Sequence, residues 1–211
     1  MSTTEESVIG LRERKKLRTR QAIARSALDL FAEHGFHATT IKQIADAADV
    51  APRTVSGYFP VKEDLVFPDH DEVFDGLAAR LAQRAPGETA VEALRAWLVG
   101  FLDGDAMADL DEAARRRQVI ESDPALRMYE RGLQARAERV VAAAVAVDLG
   151  RPPADLLPHM VGAATLAALD ALGRQIIGGP ADGFRERAVA LIDEAMAFIG
   201  AGVGGLIQRK P

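Results

Sequence analysis

The stretch TIKQIADAADVAPRTVSGYFPVK, Thr40–Lys62, decides how the rest of the chain is read. Thr39 and Thr40 can cap a helix that carries Ile41, Ile44, Ala45 and Ala48 on one face. Asp49-Val50-Ala51 breaks it. Pro52 suits the first turn of a second short helix, where its missing N–H costs nothing, and that helix ends near Tyr58. Two short helices joined by a tight turn are the layout of a helix-turn-helix. Ala45 is small where the two helices would cross, and Ile44, Val50 and Val55 would fill the space beneath. Asp49 falls where the turn needs a left-handed backbone, which Asp tolerates better than most residues. The alternative, an ordinary helical hairpin, would not require this register of small and apolar positions.

Helical spacing continues on both sides. Leu17, Ile23, Ala24, Ala27, Leu28, Leu30 and Phe31 recur at helical intervals between Leu11 and His34, and Gly35 can end that helix. A fourth helix is predicted over 62–84, with Glu63 and Asp64 in its first turn. Further helices are predicted at about 88–102, 109–121, 125–148, 154–177 and 182–200, separated by Pro86-Gly87, Asp103-Gly104-Asp105, Asp123-Pro124, Gly150 with Pro152-Pro153, and Gly178-Gly179-Pro180. No stretch alternates with period two, so the expected fold class is all-α with about nine helices. The expected organisation is a disordered tail at 1–10, a helix-turn-helix domain at 11–60, a helical body at 61–203 and a tail at 204–211.

Composition narrows the function. The chain has 211 residues, 48% hydrophobic and 27% charged, enough to bury a core. It has no cysteine, which removes disulfides, thiolate metal sites and cysteine nucleophiles. The four histidines, His34, His37, His70 and His159, are scattered, and neither a metal nor a cofactor is expected. No signal-peptide pattern opens the chain, and no apolar run approaches the roughly 20 residues of a membrane span. The expected location is the cytoplasm, away from membranes. The net charge of −5 is uneven: residues 1–62 carry ten basic and seven acidic residues, the remainder 16 and 24. Much of the basic excess lies in Arg12, Arg14, Lys15, Lys16, Arg18 and Arg20, so one end of an acidic protein is offered to a polyanion. There is no nucleophile–base pairing, no meaningful pair of carboxylates and no phosphate-binding glycine loop, so the chain is not read as an enzyme.

From Arg14 to Leu65 the sequence resembles the TetR family of transcriptional repressors. The carrying residues include Ala27, Phe31, Gly35, Phe36, Thr39, Thr40, Ile44, Ala45, Val50, Thr54, Tyr58, Phe59, Lys62, Glu63 and Leu65. The resemblance implies an N-terminal three-helix DNA-binding domain, a C-terminal helical body for ligand binding and dimerisation, and release of double-stranded operator DNA when a small molecule enters that body. The helix at 52–58, opened by Pro52, would enter the major groove. Arg53 would read guanine or clamp phosphate through its planar fork, with Thr54 beside it. Tyr58, Thr40 and Lys62 resemble the family's phosphate contacts, and Lys42 adds another. The segment Arg12–Arg20 would reach the backbone or the minor groove, as N-terminal arms do. Three positions depart from the family. Ala51 replaces a capping Ser or Thr, and Ser56 and Gly57 stand where larger side chains are usual. A second reading follows from them: a small-molecule-binding helical protein with weakened DNA recognition.

For the body, Phe67, Phe74, Trp97, Phe101, Met128 and Thr165 are the candidate ligand contacts, with Leu81 among further apolar wall positions. Ile120–Arg127 resembles the body of the mycofactocin-associated group of TetR regulators, which implies a small hydrophobic or amphipathic, acyl-CoA-like effector. Arg115, Arg116 and Arg117 read first as a surface charge run, and His70 beside Asp69, Asp71 and Glu72 as a solvated helix start. The wide alanine-rich stripes of the helices at 154–177 and 182–200 suggest the four-helix seam of a homodimer.

Overall fold

The computed structural model describes residues 3–102, 110–177, 179 and 182–208. Side chains are described from Gly10 to Leu206 within those segments. The described residues form nine α-helices and no strand. They fall into two compact units, Met1–His70 with Arg115–Tyr129, and Asp71–Ala114 with Glu130–Pro211.

The first unit is built on α1 (Thr3–His34), α2 (Ile41–Ala47) and α3 (Pro52–Tyr58). The segment 3–10, expected as a tail, continues α1. Once a helix is nucleated each added residue gains a hydrogen bond, so extension needs no core beneath it. Gly35 ends α1 at φ 84°, a left-handed conformation that glycine adopts without strain. Ile23, Leu28, Phe31, Ile44, Val55 and Phe59 close the core, each almost wholly buried. At about 1.5–3 kcal/mol per fully buried large side chain, these are the dominant stabilising contacts.

The expected fourth helix at 62–84 is interrupted. A 3-10 turn covers Lys62–Leu65, and α4 begins only at His70. Pro68 explains the gap, since it cannot donate a backbone hydrogen bond and disfavours helical geometry at Phe67. The first unit also takes in a stretch that the sequence assigns to the body. Val119 and Ile120 of α6 (Leu110–Ser122) and Leu126 of α7 (Pro124–Leu149) belong to the same core as Ile23 and Phe31. Asp123 fixes this corner: its Oδ1 accepts the Ala125 N–H at 2.8 Å and the Leu126 N–H at 3.4 Å. The predicted break at Asp103-Gly104-Asp105 lies outside the described residues.

The second unit contains α4 (His70–Ala82) from Asp71 onward, α5 (Ala90–Leu102), most of α7, α8 (Leu156–Ile177) and α9 (Phe184–Gln208). Helix α9 packs against both α5 and α8. Its core joins Leu77, Leu81, Leu94, Val145, Ile192 and Met196. Residues 204–208, expected as part of a tail, continue α9. Both α8 and α9 are long and apolar enough, by length and composition, to cross a membrane. The apolar run of α8 is nevertheless interrupted, by polar residues such as His159 and Asp170 that lower the helix average little, and core helices of soluble proteins have the same length and composition.

Helix α8 meets α7 closely at Gly162. A Cβ built there would lie 2.9 Å from the Glu138 carbonyl oxygen and 3.2 Å from Ala142 Cβ. The first neighbour is backbone and cannot rotate away. Gly162→Ala therefore destabilises the protein by about 1–3 kcal/mol through overpacking, outweighing the roughly 1 kcal/mol that alanine otherwise gains in a helix. Urea unfolding of the two proteins measures the difference, and an increase in stability would contradict the close crossing.

Candidate nucleic-acid interface

The helix-turn-helix is assembled by local rules. Thr40 caps α2 reciprocally with Gln43: its hydroxyl oxygen accepts the Gln43 N–H at 3.2 Å, and Gln43 Oε1 accepts the Thr40 N–H at 2.8 Å. Thr39 is buried beside it, its hydroxyl donating to the carbonyls of Gly35 at 2.9 Å and Leu30 at 3.2 Å. Asp49 takes φ 53°, the left-handed conformation its place in the turn predicts. The Val50 N–H returns to the Ala45 carbonyl at 3.0 Å. Ala51 is extended and offers no side-chain cap, while Pro52 opens α3.

This turn decides which face of α3 is free. Val55 is fully buried against Ile44 and Ala45, and Pro52, Arg53, Ser56 and Gly57 face outward, with Thr54 and Tyr58 half-buried at the edges. Arg53 has no ion pair among the described residues. Ser56 is turned back, its hydroxyl 3.5 Å from the Pro52 carbonyl. A Cβ at Gly57 would meet nothing within 4 Å. Gly57→Ala is thus expected to raise stability by up to about 1 kcal/mol, since alanine loses less backbone freedom in a helix. Thermal unfolding tests this, and a loss of stability would show that the space over Gly57 is not free.

The remaining predicted contacts are not equivalent. Lys42 is exposed and pairs with Asp46 at 3.5 Å, a surface pair worth little. Lys62 is turned inward. Its ammonium donates to the Phe36 carbonyl and lies 4.5 Å from the Phe36 ring centre and 5.5 Å from that of Phe31. Burial holds its pKa below the usual lysine value, against the opposing charges of Glu63 and Asp123. Arg20 is likewise engaged, donating to the Pro68 carbonyl and stacking 5.2 Å over Phe59.

His70 is not a solvated helix start. Its Nδ1 is 2.7 Å from the Phe67 carbonyl, which can only accept, so Nδ1 carries the proton. Its Nε2 faces Asp64 Oδ1 at 3.9 Å, and the Tyr129 hydroxyl donates to the same oxygen at 2.5 Å. This cluster ties α7 to the 3-10 turn. Sequence reasoning misses it, because its members lie up to 65 residues apart.

Two of the six candidate ligand contacts lie in the first unit and four in the second. Phe67 packs on Tyr129 at 5.6 Å and Met128 is exposed, both in the first unit. In the second unit, Phe74 is buried under Arg136, Trp97 and Phe101 stack at 5.5 Å, and the buried Thr165 hydroxyl donates to the Val161 carbonyl. A cleft of about 600 Å³ in the second unit is walled instead by Leu81, Val140, Ala144 and Val147, with Arg84 and Glu88 at its polar side. Of the arginine run, Arg115 pairs with Asp29 and Arg117 with Glu121. Among the described residues no three acidic or histidine side chains converge as a metal site.

Residues 23–67 match the family described as bacterial regulatory proteins, tetR family, and residues 88–204 match the MftR C-terminal domain. The regulator TcmR of Streptomyces glaucescens is 33% identical over 79% of this chain and 75% of its own. The chain belongs to the TetR family. A second TetR-family relative, the putative mycofactocin biosynthesis regulator MftR of Mycobacterium tuberculosis, is 29% identical over 96% of this chain and 98% of its own. Among solved structures, a transcriptional regulator from Rhodococcus sp. Rha1 shares the fold with a TM-score of 0.54 at 24% identity, covering 87% of this chain and 96% of that one. The all-α fold and the reading as a transcriptional regulator rather than an enzyme therefore stand.

Proposed function

We propose that this TetR-family chain is a dimeric repressor that reads a palindromic operator and is released by a small molecule. The observation that carries the reading is the exposed face of α3. Arg53 projects from a helix whose other side is locked by Val55, Ile44 and Ala45, the arrangement that major-groove readout needs. Arg53 and Thr54 contact bases. Pro52, Ser56 and Gly57 form the surface that lies against the groove, and Thr40, Lys42 and Tyr58 hold phosphates. Lys62 supports the site by anchoring the α1–α2 loop, with its remaining donors available to a phosphate.

Dimerisation is supported by what α8 and α9 leave uncovered. Leu156 and Met160 on α8 and Phe198 on α9 are exposed, among exposed alanines such as Ala163, Ala167 and Ala197. A soluble protein working on cytoplasmic DNA needs a partner for such a surface, and a second copy supplies it. Two reading heads then sit about 34–36 Å apart on one face of the duplex. The effector is hydrophobic or amphipathic, and acyl-CoA-like molecules are the first class to try, because the second unit matches the MftR C-terminal domain. Effector binding displaces α4, which follows the DNA-binding unit in the chain. The effector acts only through higher affinity for the released state, since equal affinity shifts no equilibrium.

The bare surface of Ser56 and Gly57 favours one competing reading, a ligand-binding protein with weakened DNA recognition. Fluorescence anisotropy with DNA fragments flanking the chain's own coding region, over a range of salt, separates the two. Tight, fragment-selective binding supports the repressor. Weak binding, equal for all fragments and lost steeply with salt, leaves only phosphate contacts and supports the alternative.

A further inference from the structure

The basic segment Arg12–Arg18 is not an extended arm. It lies on the continuous helix α1, and every residue from Leu11 to Arg18 is exposed, including Leu11 and Leu17. Burial begins only at Ile23. Arg20, the last cation of the run, is held by Phe59 and Pro68, but Arg12, Arg14, Lys15, Lys16 and Arg18 have no ion pair among the described residues.

Helical geometry sets how this segment can meet DNA. A helix with side chains is about 10–12 Å across, whereas the minor groove is about 6 Å wide. The segment also places like charges one turn apart: Arg12 with Lys15 and Lys16, Arg14 with Arg18, and Lys15 with Arg18. Such pairs weaken a helix, and no apolar face ties it to a core. A row of phosphates removes the repulsion and so strengthens both the contact and the helix.

We infer that Arg12–Arg18 is a helical, sequence-blind clamp on duplex phosphates flanking the operator, and that it does not enter the minor groove. The inference rests on the DNA-binding reading above. The test uses the full chain with a duplex of unrelated sequence, an A·T-rich duplex with and without the minor-groove ligand netropsin, and the chain's own flanking DNA. One variant combines Arg12→Gln, Arg14→Gln, Lys15→Gln, Lys16→Gln and Arg18→Gln. A second pair compares Lys16→Pro with Lys16→Gln.

The five-fold variant is expected to reduce the slope of log K against log salt by up to about 0.9 for each phosphate it no longer neutralises, while its preference among sequences stays unchanged. Lys16→Pro should weaken binding at least tenfold more than Lys16→Gln, because it breaks the helix at the same cost in charge, and netropsin should leave the contribution of the segment intact. An unchanged slope, equal effects of Pro and Gln, or disappearance of the contribution with netropsin would each overturn the clamp. Selective binding of flanking DNA with an unchanged slope would overturn the clamp alone. Failure of the unmodified chain to bind any duplex would instead remove the DNA-binding reading on which it rests.

Discussion

Arg53→Ala is expected to abolish the preference of this protein for its operator while leaving weak binding to any duplex. A bidentate arginine contact contributes about 1–3 kcal/mol of discrimination, and a dimer makes it twice, so the loss lies between about 30-fold and about 10⁴-fold. Arg53 is exposed, so the variant folds normally and the effect is on recognition. Arg53→Lys is not expected to restore readout, because an ammonium lacks the planar fork that matches guanine. Lys42→Ala should behave differently. A phosphate contact carries no sequence information, so its removal weakens all fragments alike and lowers the salt slope by about one per phosphate released. Anisotropy titrations of flanking and scrambled fragments at two or more salt concentrations distinguish these patterns. Retained selectivity in Arg53→Ala would move readout away from α3 and favour the ligand-binding alternative.

The contrast between these residues and the rest of the chain follows the range of the interactions. The backbone turns and ends of the helix-turn-helix, which depend on neighbours within five residues, were legible, whereas the partners Gln43 for Thr40 and Asp46 for Lys42 were not. The Thr40 cap, the left-handed Asp49, the Pro52 start and the Gly35 stop each follow from one local backbone requirement. The burial of Ile44, Ala45 and Val55 follows from helical periodicity. What periodicity does not contain is which distant segment completes a core. Val119, Ile120 and Leu126 read as body residues, yet they share a core with Ile23 and Phe31, nearly a hundred residues earlier. His70 looks solvated because its sequence neighbours are acidic, and only the fold brings Asp64 and Tyr129 to it. Conspicuous aromatics are a poor guide to a cavity for a related reason. Trp97 and Phe101 satisfy each other by stacking, while of the cleft's walls only Leu81 stands among the expected positions, and the alanines and valines beside it carry no sequence signal. Lys62 is an intermediate case. Its place in the family pattern is readable, but its inward turn towards the Phe36 carbonyl is not.

The cleft is also bordered by a largely buried charge pair. Arg84, at its rim, donates to Asp148 Oδ1 at 2.9 Å and to the Leu81 carbonyl at 2.9 Å, while Asp148 Oδ2 accepts the Ala90 N–H at the start of α5 at 2.6 Å. The side chains of Arg84 and Asp148 are only 12% and 9% exposed. Asp148→Ala removes the partner of a largely buried guanidinium and leaves the Ala90 N–H without its acceptor, while the Thr89–Glu92 cap of α5 remains. The expected loss is about 3–5 kcal/mol, the range for breaking a buried pair from one side. The mirror change, Arg84→Ala, strands the carboxylate and costs a similar amount, eased by the Ala90 N–H that remains. The pair itself is worth much less than either single loss, because forming it required both charges to leave water. Arg84→Met with Asp148→Leu should therefore recover most of the stability, and a double-mutant cycle in urea isolates the coupling. Equal, small losses for all three variants would mean that solvent reaches the pair and that Asp148 contributes mainly through the Ala90 N–H. A large single loss with recovery in the double variant would identify the α4–α5 turn as held by a charge pair whose value lies in where it places that turn, rather than in net stability.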